Sequence, residues 1–152
     1  MIKKILYTLI LIMFLASVYI HGNAKDIPLQ DVKALLLEEK TISSMEESSD
    51  REMLEFMNID PAALSEYIYF QGTEALSVEE LMIIKVKDTA ELAALKDAVE
   101  QRIEDQISTF ESYGPVQVAM LENAIISTKG HYLFYSVGKY SEKYKEVFFH
   151  AI

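Results

Sequence analysis

Residues 66–71 read E-Y-I-Y-F-Q and residues 81–87 read L-M-I-I-K-V-K. Both stretches are rich in aromatic and β-branched side chains and alternate with a period of two, as strands do. In the second, Met82, Ile84 and Val86 face one side while Ile83, Lys85 and Lys87 face the other. The pattern then changes. Asp88 with Glu91 has the spacing of a capping box, and it opens a helix predicted over residues 89–110. Its apolar stripe is Leu92, Leu95, Val99, Ile103 and Phe110.

Working outward, Gly114-Pro115 breaks the chain before a short helix over residues 116–122. Residues 124–128 and 131–137 read as two strands around a Lys129-Gly130 turn, and Gly138 ends the second. Ser141 is placed to cap a closing helix with Tyr144, Val147 and Phe148 on its buried face. Towards the N-terminus, residues 28–39 carry Leu29, Val32, Leu35 and Leu36 on one helical face. Residues 41–50 are polar and read as a loop. Ser49 with Glu52 is a capping box for a short helix bearing Met53, Phe56 and Met57, and Asp60-Pro61 starts a further turn. The expected architecture is α+β: a two-layer domain with a four-stranded, mostly antiparallel sheet and helices packed on one face.

Ahead of this domain the chain is a different polymer. Lys3 and Lys4 precede an apolar run from Ile5 to Ile20, closed by His21, Gly22, Asn23 and Ala24. That order is a basic region, a hydrophobic helix and a small-residue exit, with Gly22 and Ala24 at −3 and −1 of a cut before Lys25. As a helix the run extends ~24 Å, short of the ~30 Å hydrocarbon core. A signal peptide over 1–24 is therefore favoured over a permanent anchor, with residues 25–152 forming one domain. The two lysines hold to the cytoplasmic side, so the domain is expected outside the cytoplasm whether the leader is cut or kept. Membrane contact is expected only through residues 1–24, and only if they are retained.

Composition narrows the partners. Among 152 residues, 51% are hydrophobic and 25% charged, with acids outnumbering bases 24 to 14 for a net charge of −10. The first 24 residues hold two lysines and no acid, so removing them leaves a net charge of −12. Such a surface excludes partners held through their phosphates, nucleic acids above all, and it is repelled by anionic surfaces. A neutral or basic protein outside the cytoplasm is the partner that fits. There is no cysteine, which removes disulfides, thiolate metal sites, a Cys nucleophile and a lipid-bearing signal Cys.

Chemistry-bearing motifs are absent. No H-E-x-x-H, G-x-S-x-G, phosphate-cradling glycine loop or dinucleotide fingerprint occurs. Glu46, Glu47, Asp50 and Glu52 cluster without calcium-loop spacing and read as solvated, so neither metal nor cofactor is assigned. Tyr67, Tyr69, Tyr132, Tyr135, Tyr140 and Tyr144 are the residue type of a carbohydrate platform, but tyrosine equally suits the boundary of a small sheet. Gln106 is the residue most out of place, pointing into the middle of the long helix's apolar stripe, with Arg102 at its edge. It is read first as a hydrogen-bonded brace to a neighbouring segment. The functional reading is a polar cleft of Arg102, Gln106, Tyr113, Asn123 and Tyr132, in which Arg102 would fork onto a carboxylate or peptide group.

The second half resembles a bacterial family known only as domain of unknown function 4358. The resemblance rests on Val99, Arg102, Ile103, Gln106 and Phe110 on the helix, then Tyr113 and Pro115, Asn123-Ala124, Ile126, and Gly130 two residues before Tyr132. Upstream, Asn58-Ile59-Asp60 before a tyrosine-bearing strand belongs to the same pattern. The resemblance implies export, often as a lipoprotein, and no activity; the missing signal Cys departs from it. The leading expectation is a non-enzymatic module that binds or regulates a protein outside the cytoplasm. The alternative is a small envelope hydrolase or a solute-binding accessory domain.

Overall fold

The computed structural model describes residues 2–22 and 24–152; Met1 and Asn23, the latter within the leader's expected exit, lie outside the described residues. On helix α1 (Ile2–Gly22) the side chains of Ile5, Leu9, Ile12 and Phe14 are each more than half exposed. Among the described residues no helix is long and apolar enough to cross a membrane.

The body begins with α2 (Leu29–Glu38), entered through Pro28, whose fixed φ of −62° suits the turn into a helix. A 3-10 turn (Lys40–Ser44) leads into strand β1 (Met45–Glu47) and then α3 (Asp50–Met57). The capping box forms at α3: the Ser49 hydroxyl accepts from the Glu52 N–H, and Glu52 Oε2 accepts from the Ser49 N–H at 2.7 Å. Asn58 in the left-handed region (φ 53°) ends the helix. After a 3-10 turn at Pro61–Ala63, capped by Asp60, come β2 (Glu66–Gly72) and β3 (Glu80–Lys85). Asp88 caps a 3-10 turn (Thr89–Glu91) that feeds α4 (Leu92–Phe110), followed by α5 (Pro115–Glu122), β4 (Ile125–Lys129), β5 (Tyr132–Val137) and α6 (Ser141–Ala151).

The sheet is antiparallel throughout, in the order β1-β2-β3-β5-β4. It has five strands, not four. The extra strand, β1, falls in the polar stretch read as a loop and pairs Met45 with Gly72 and Glu47 with Phe70. The helices also cover both faces, not one. Leu29, Val32 and Leu36 of α2 and Tyr144 and Phe148 of α6 pack on Ile68, Phe70, Ile83 and Phe134. On the other face Met53 and Met57 of α3, Val99 of α4 and Leu121 of α5 pack on Tyr69, Met82, Leu133 and Tyr135. The physical reason lies in β3 and β5, whose residues are buried almost without break, so each strand needs a cover on both sides. The domain is a three-layer α+β sandwich.

One local expectation changes in detail and another holds. Ser141 is the first residue of α6 rather than its cap; its hydroxyl bonds back to Gly138 O and to the Ser136 hydroxyl, both at 2.9 Å. Gly130 takes the Lys129-Gly130 turn at φ +57°, where a side chain would be strained.

Candidate functional site

The most concentrated chemistry in the body gathers on Glu80, the first residue of β3. Strand alternation turns its side chain to the α4 face, where it is 2% exposed. Across the sheet Met82 pairs with Tyr69 on β2 and Tyr135 on β5, so the two tyrosines flank the strand one pleat from Glu80. Both hydroxyls reach back to it: Tyr135 donates to Oε2 at 2.7 Å and Tyr69 to Oε1 at 3.1 Å. Gln71 donates to Oε1 at 3.3 Å. Arg102 comes down from α4 and donates to Oε1 through Nη2 at 2.8 Å and Nε at 3.3 Å. Its guanidinium lies over the Phe56 ring of α3, 5.3 Å from the centroid. Even the Glu80 main chain is engaged, its carbonyl accepting from the Ser136 hydroxyl at 3.0 Å.

The electrostatics follow from burial. Removal from water pushes the Tyr69 and Tyr135 phenols well above their ordinary range, and the Glu80 charge adds to the effect. Burial alone would lower the Arg102 guanidinium, but the charge and hydrogen bond of Glu80 outweigh it and hold the group above its usual value. Four side chains thus direct protons at one carboxylate. The arrangement ties β2, β3, β5 and α4 together and fixes their mutual placement.

A second junction forms at the far end of β3, on the opposite face. Lys85 Nζ meets Asp26 Oδ1 at 2.6 Å, Glu66 Oε1 at 3.0 Å and the Ile27 carbonyl at 3.2 Å. Burial works to lower this ammonium, yet the hydrogen bonds of Asp26 and Glu66 raise it above its ordinary value. Glu66 Oε2 accepts from the Leu29 N–H at 2.7 Å, and the Tyr132 hydroxyl accepts from the Ile27 N–H at 2.9 Å. Residues 25–29 are thereby strapped across the ends of β2, β3 and β5. Beside the strap lies a cavity of about 790 Å³ lined by Ala24, Asp26, Ser65, Lys85, Lys87 and His131, among others.

A third feature is apolar. Pro115, Val116, Ala119 and Met120 of α5, with Asn123, Gly138 and Lys139, form a groove of about 470 Å³. Val116, in its lining, is 67% exposed; elsewhere on the surface Tyr113 and Leu76 are each 58% exposed. Gln117 holds the Leu76 loop to α5 through the Leu76 carbonyl.

The five residues read as a polar cleft do not converge. Arg102 is committed to Glu80. Gln106 is buried as expected, at 8% exposure, but its Oε1 has no hydrogen-bond partner among the described residues. Tyr113 lies past the end of α4, exposed, against Phe110. Asn123 caps α5 and donates to the Ala119 carbonyl. Tyr132 shares the face of Phe134 in β5, so it points to α2 and α6, across the sheet from Arg102. The tyrosines likewise form no platform: Tyr69, Tyr132, Tyr135 and Tyr144 are buried, and Tyr67 donates to Asp50. Among the described residues no three His, Asp or Glu side chains gather as a metal cluster.

Residues 39–138, two-thirds of the chain, match the model for a domain of unknown function (DUF4358). The chain belongs to this family. No match was found among curated proteins or solved structures. The stretch matched as DUF4358 runs from β1 through β5 and contains Glu80 and every side chain that reaches it. It also contains the α5 groove up to Gly138. The strap, α2 and α6 fall outside it.

Glu80 itself was missed by sequence reasoning. It stood one residue ahead of the expected strand and was one acid among 24. The available signal was a carboxylate leading a strand of otherwise unbroken apolar residues, a position that demands a partner.

Proposed function

We propose that this DUF4358 domain is an exported, non-catalytic module that binds a protein partner outside the cytoplasm through the α5 groove. The observation that carries the reading is the apolar lining of that groove, Pro115, Val116, Ala119 and Met120, with Val116 67% exposed. An apolar groove on an acidic domain, with a large apolar side chain exposed in it, is the kind of surface that takes a partner. The pairing of Glu80 with Arg102 and of Lys85 with Glu66 supports the same reading, because these ionisable groups are occupied by partners within the domain. The net charge of −12 on residues 25–152 favours a partner segment with apolar anchors and neutral or basic flanks. Export rests on the leader, with Lys3 and Lys4 ahead of the apolar run.

Site-specific photocrosslinking tests this directly. A photoreactive residue at Val116 is expected to give a discrete protein adduct in an envelope fraction, and one at Glu100, on the exposed side of α4, none. Failure of the Val116 position to yield any adduct above that control overturns the reading. The 790 Å³ cavity at Lys85 favours a second reading, a solute-binding accessory domain, since its volume falls in the range of ligand pockets. A rise in thermal stability with a small anionic solute, abolished in Lys87→Ala, would support that reading over the first.

A further inference from the structure

The strap places the end of the leader against the folded body. Helix α1 ends at Gly22, and the next described residue, Ala24, is already half-buried on the β4–β5 turn. A Cβ built on Gly130 would stand 2.9 Å from the Ala24 Cβ and 3.3 Å from its nitrogen, so only a glycine permits this approach. On the other side of the Ala24–Lys25 bond, the Lys25 carbonyl lies 3.3 Å from the Tyr132 hydroxyl. Asp26 is held by Lys85, Ile27 by Tyr132 at both its N–H and its carbonyl, and Leu29 by Glu66. A protease must draw several residues on each side of the scissile bond into an extended, accessible form. Here Ala24 on one side of that bond, and Asp26, Ile27 and Leu29 on the other, are held to the domain by these contacts, with the Lys25 and Asp26 side chains facing solvent.

We infer that folding closes the processing site: docking of residues 24–27 onto Gly130, Tyr132 and Lys85 shields the Ala24–Lys25 peptide bond from the leader peptidase. The inference rests on the export reading above and adds an order of events to it. Hydrolysis of this bond by water gives the Ala24 carboxylate and a new α-amine on Lys25. It must take place while the chain is still emerging, before β3 and β5 offer Lys85 and Tyr132 to the strap. A chain that folds first keeps its leader. One sequence therefore yields two products, in a ratio set by the relative rates of cutting and folding.

The test uses the full chain in detergent micelles with a purified bacterial leader peptidase, followed by intact mass. Three substrates are compared: the folded protein, the same protein in urea at a concentration the peptidase tolerates, and a folded variant with about six Gly and Ser residues inserted between Lys25 and Asp26. The folded protein is expected to be cut at least roughly tenfold more slowly than the other two, as for a site reached only through local opening. Tyr132→Phe, which loses the hydroxyl but keeps the ring, is expected to be cut at an intermediate rate. Equal rates for the folded protein and the insertion variant overturn the inference and leave export standing. No cutting at Ala24–Lys25 in any of the substrates, including the urea-treated chain, removes the leader reading itself and this inference with it.

Discussion

Tyr69 and Tyr135 stand on different strands, yet they act on the same carboxylate. Each pairs with Met82 from opposite sides of β3, and each hydroxyl reaches back to the carboxylate of Glu80. The relationship exists only in one register. A slip of β2 or β5 by one residue turns its tyrosine to the α2 side and leaves Glu80 short of a donor. The Glu80 network therefore makes the central strands' register an energetic choice as well as a geometric one.

The first prediction concerns the ion pair at its centre. Arg102→Met leaves a buried carboxylate facing an apolar side chain, and it is expected to destabilise residues 25–152 by about 3–5 kcal/mol in urea unfolding. Adding Glu80→Gln removes the orphaned charge, its Oε1 accepting from one tyrosine and its Nε2 donating to the hydroxyl oxygen of the other, and should recover most of the loss. If the double variant is no more stable than Arg102→Met, the pair is not coupled as the geometry requires.

Tyr67 makes a prediction in alkali. Burial, followed by its hydrogen bond to Asp50, pushes the phenol up to about 12. A pKa raised in the folded state gives stability that is complete below the ordinary tyrosine value of 10.0 and is lost as pH climbs through about 12. Alkaline unfolding should therefore begin above pH 10, and Tyr67→Phe should flatten the loss between these two values. Phenolate absorbance should show the same variant lacking the group that titrates near 12.

The strap has the opposite sign. The hydrogen bond and charge of Lys85 hold Asp26 below its ordinary 3.8, so its contribution is complete above that value and disappears as pH falls below it. Amide protection at Ile27 and Leu29, measured against the intrinsic exchange rate at each pH, is expected to fall in acid, and in Lys85→Met to be low at every pH. Ile27 amide protection that is the same in acid and at neutral pH would show that Lys85 does not hold the strap.

Several of these residues were legible in the sequence and others were not, for identifiable reasons. Ser49 with Glu52 was readable because a capping box is local: donor and acceptor lie three residues apart. The hairpins were readable from alternation and from Gly130. Strand β1 was hidden, since Met45–Glu47 is too short to display a period and exists only because the β2 edge offers it hydrogen bonds. The cover on both faces was written in Leu81-Met82-Ile83-Ile84, a run apolar on both sides, but an antiparallel sheet was assumed to keep one side wet. Tyr132 was grouped with Arg102 because spacing along the chain says nothing of which face of a sheet a later strand presents. Arg102 and Glu80 lie 22 positions apart, and only the placement of α4 over β3 joins them.

Gln106 yields the last prediction, and it separates a structural brace from a tolerated defect. A buried amide was expected to find a partner, yet its Oε1 has none among the described residues, one turn of α4 beyond Arg102. An unmet acceptor costs about 1–3 kcal/mol, whereas an apolar side chain of the same length would regain contacts with the surrounding core. Gln106→Met is nearly isosteric, flexible enough to avoid strain, and as good a helix former. It should raise the stability of residues 25–152 by about 1 kcal/mol, read as a shift in the urea midpoint at unchanged slope. A loss of similar size would mean that the amide braces α4 after all. The two signs differ, so a single unfolding curve decides between them.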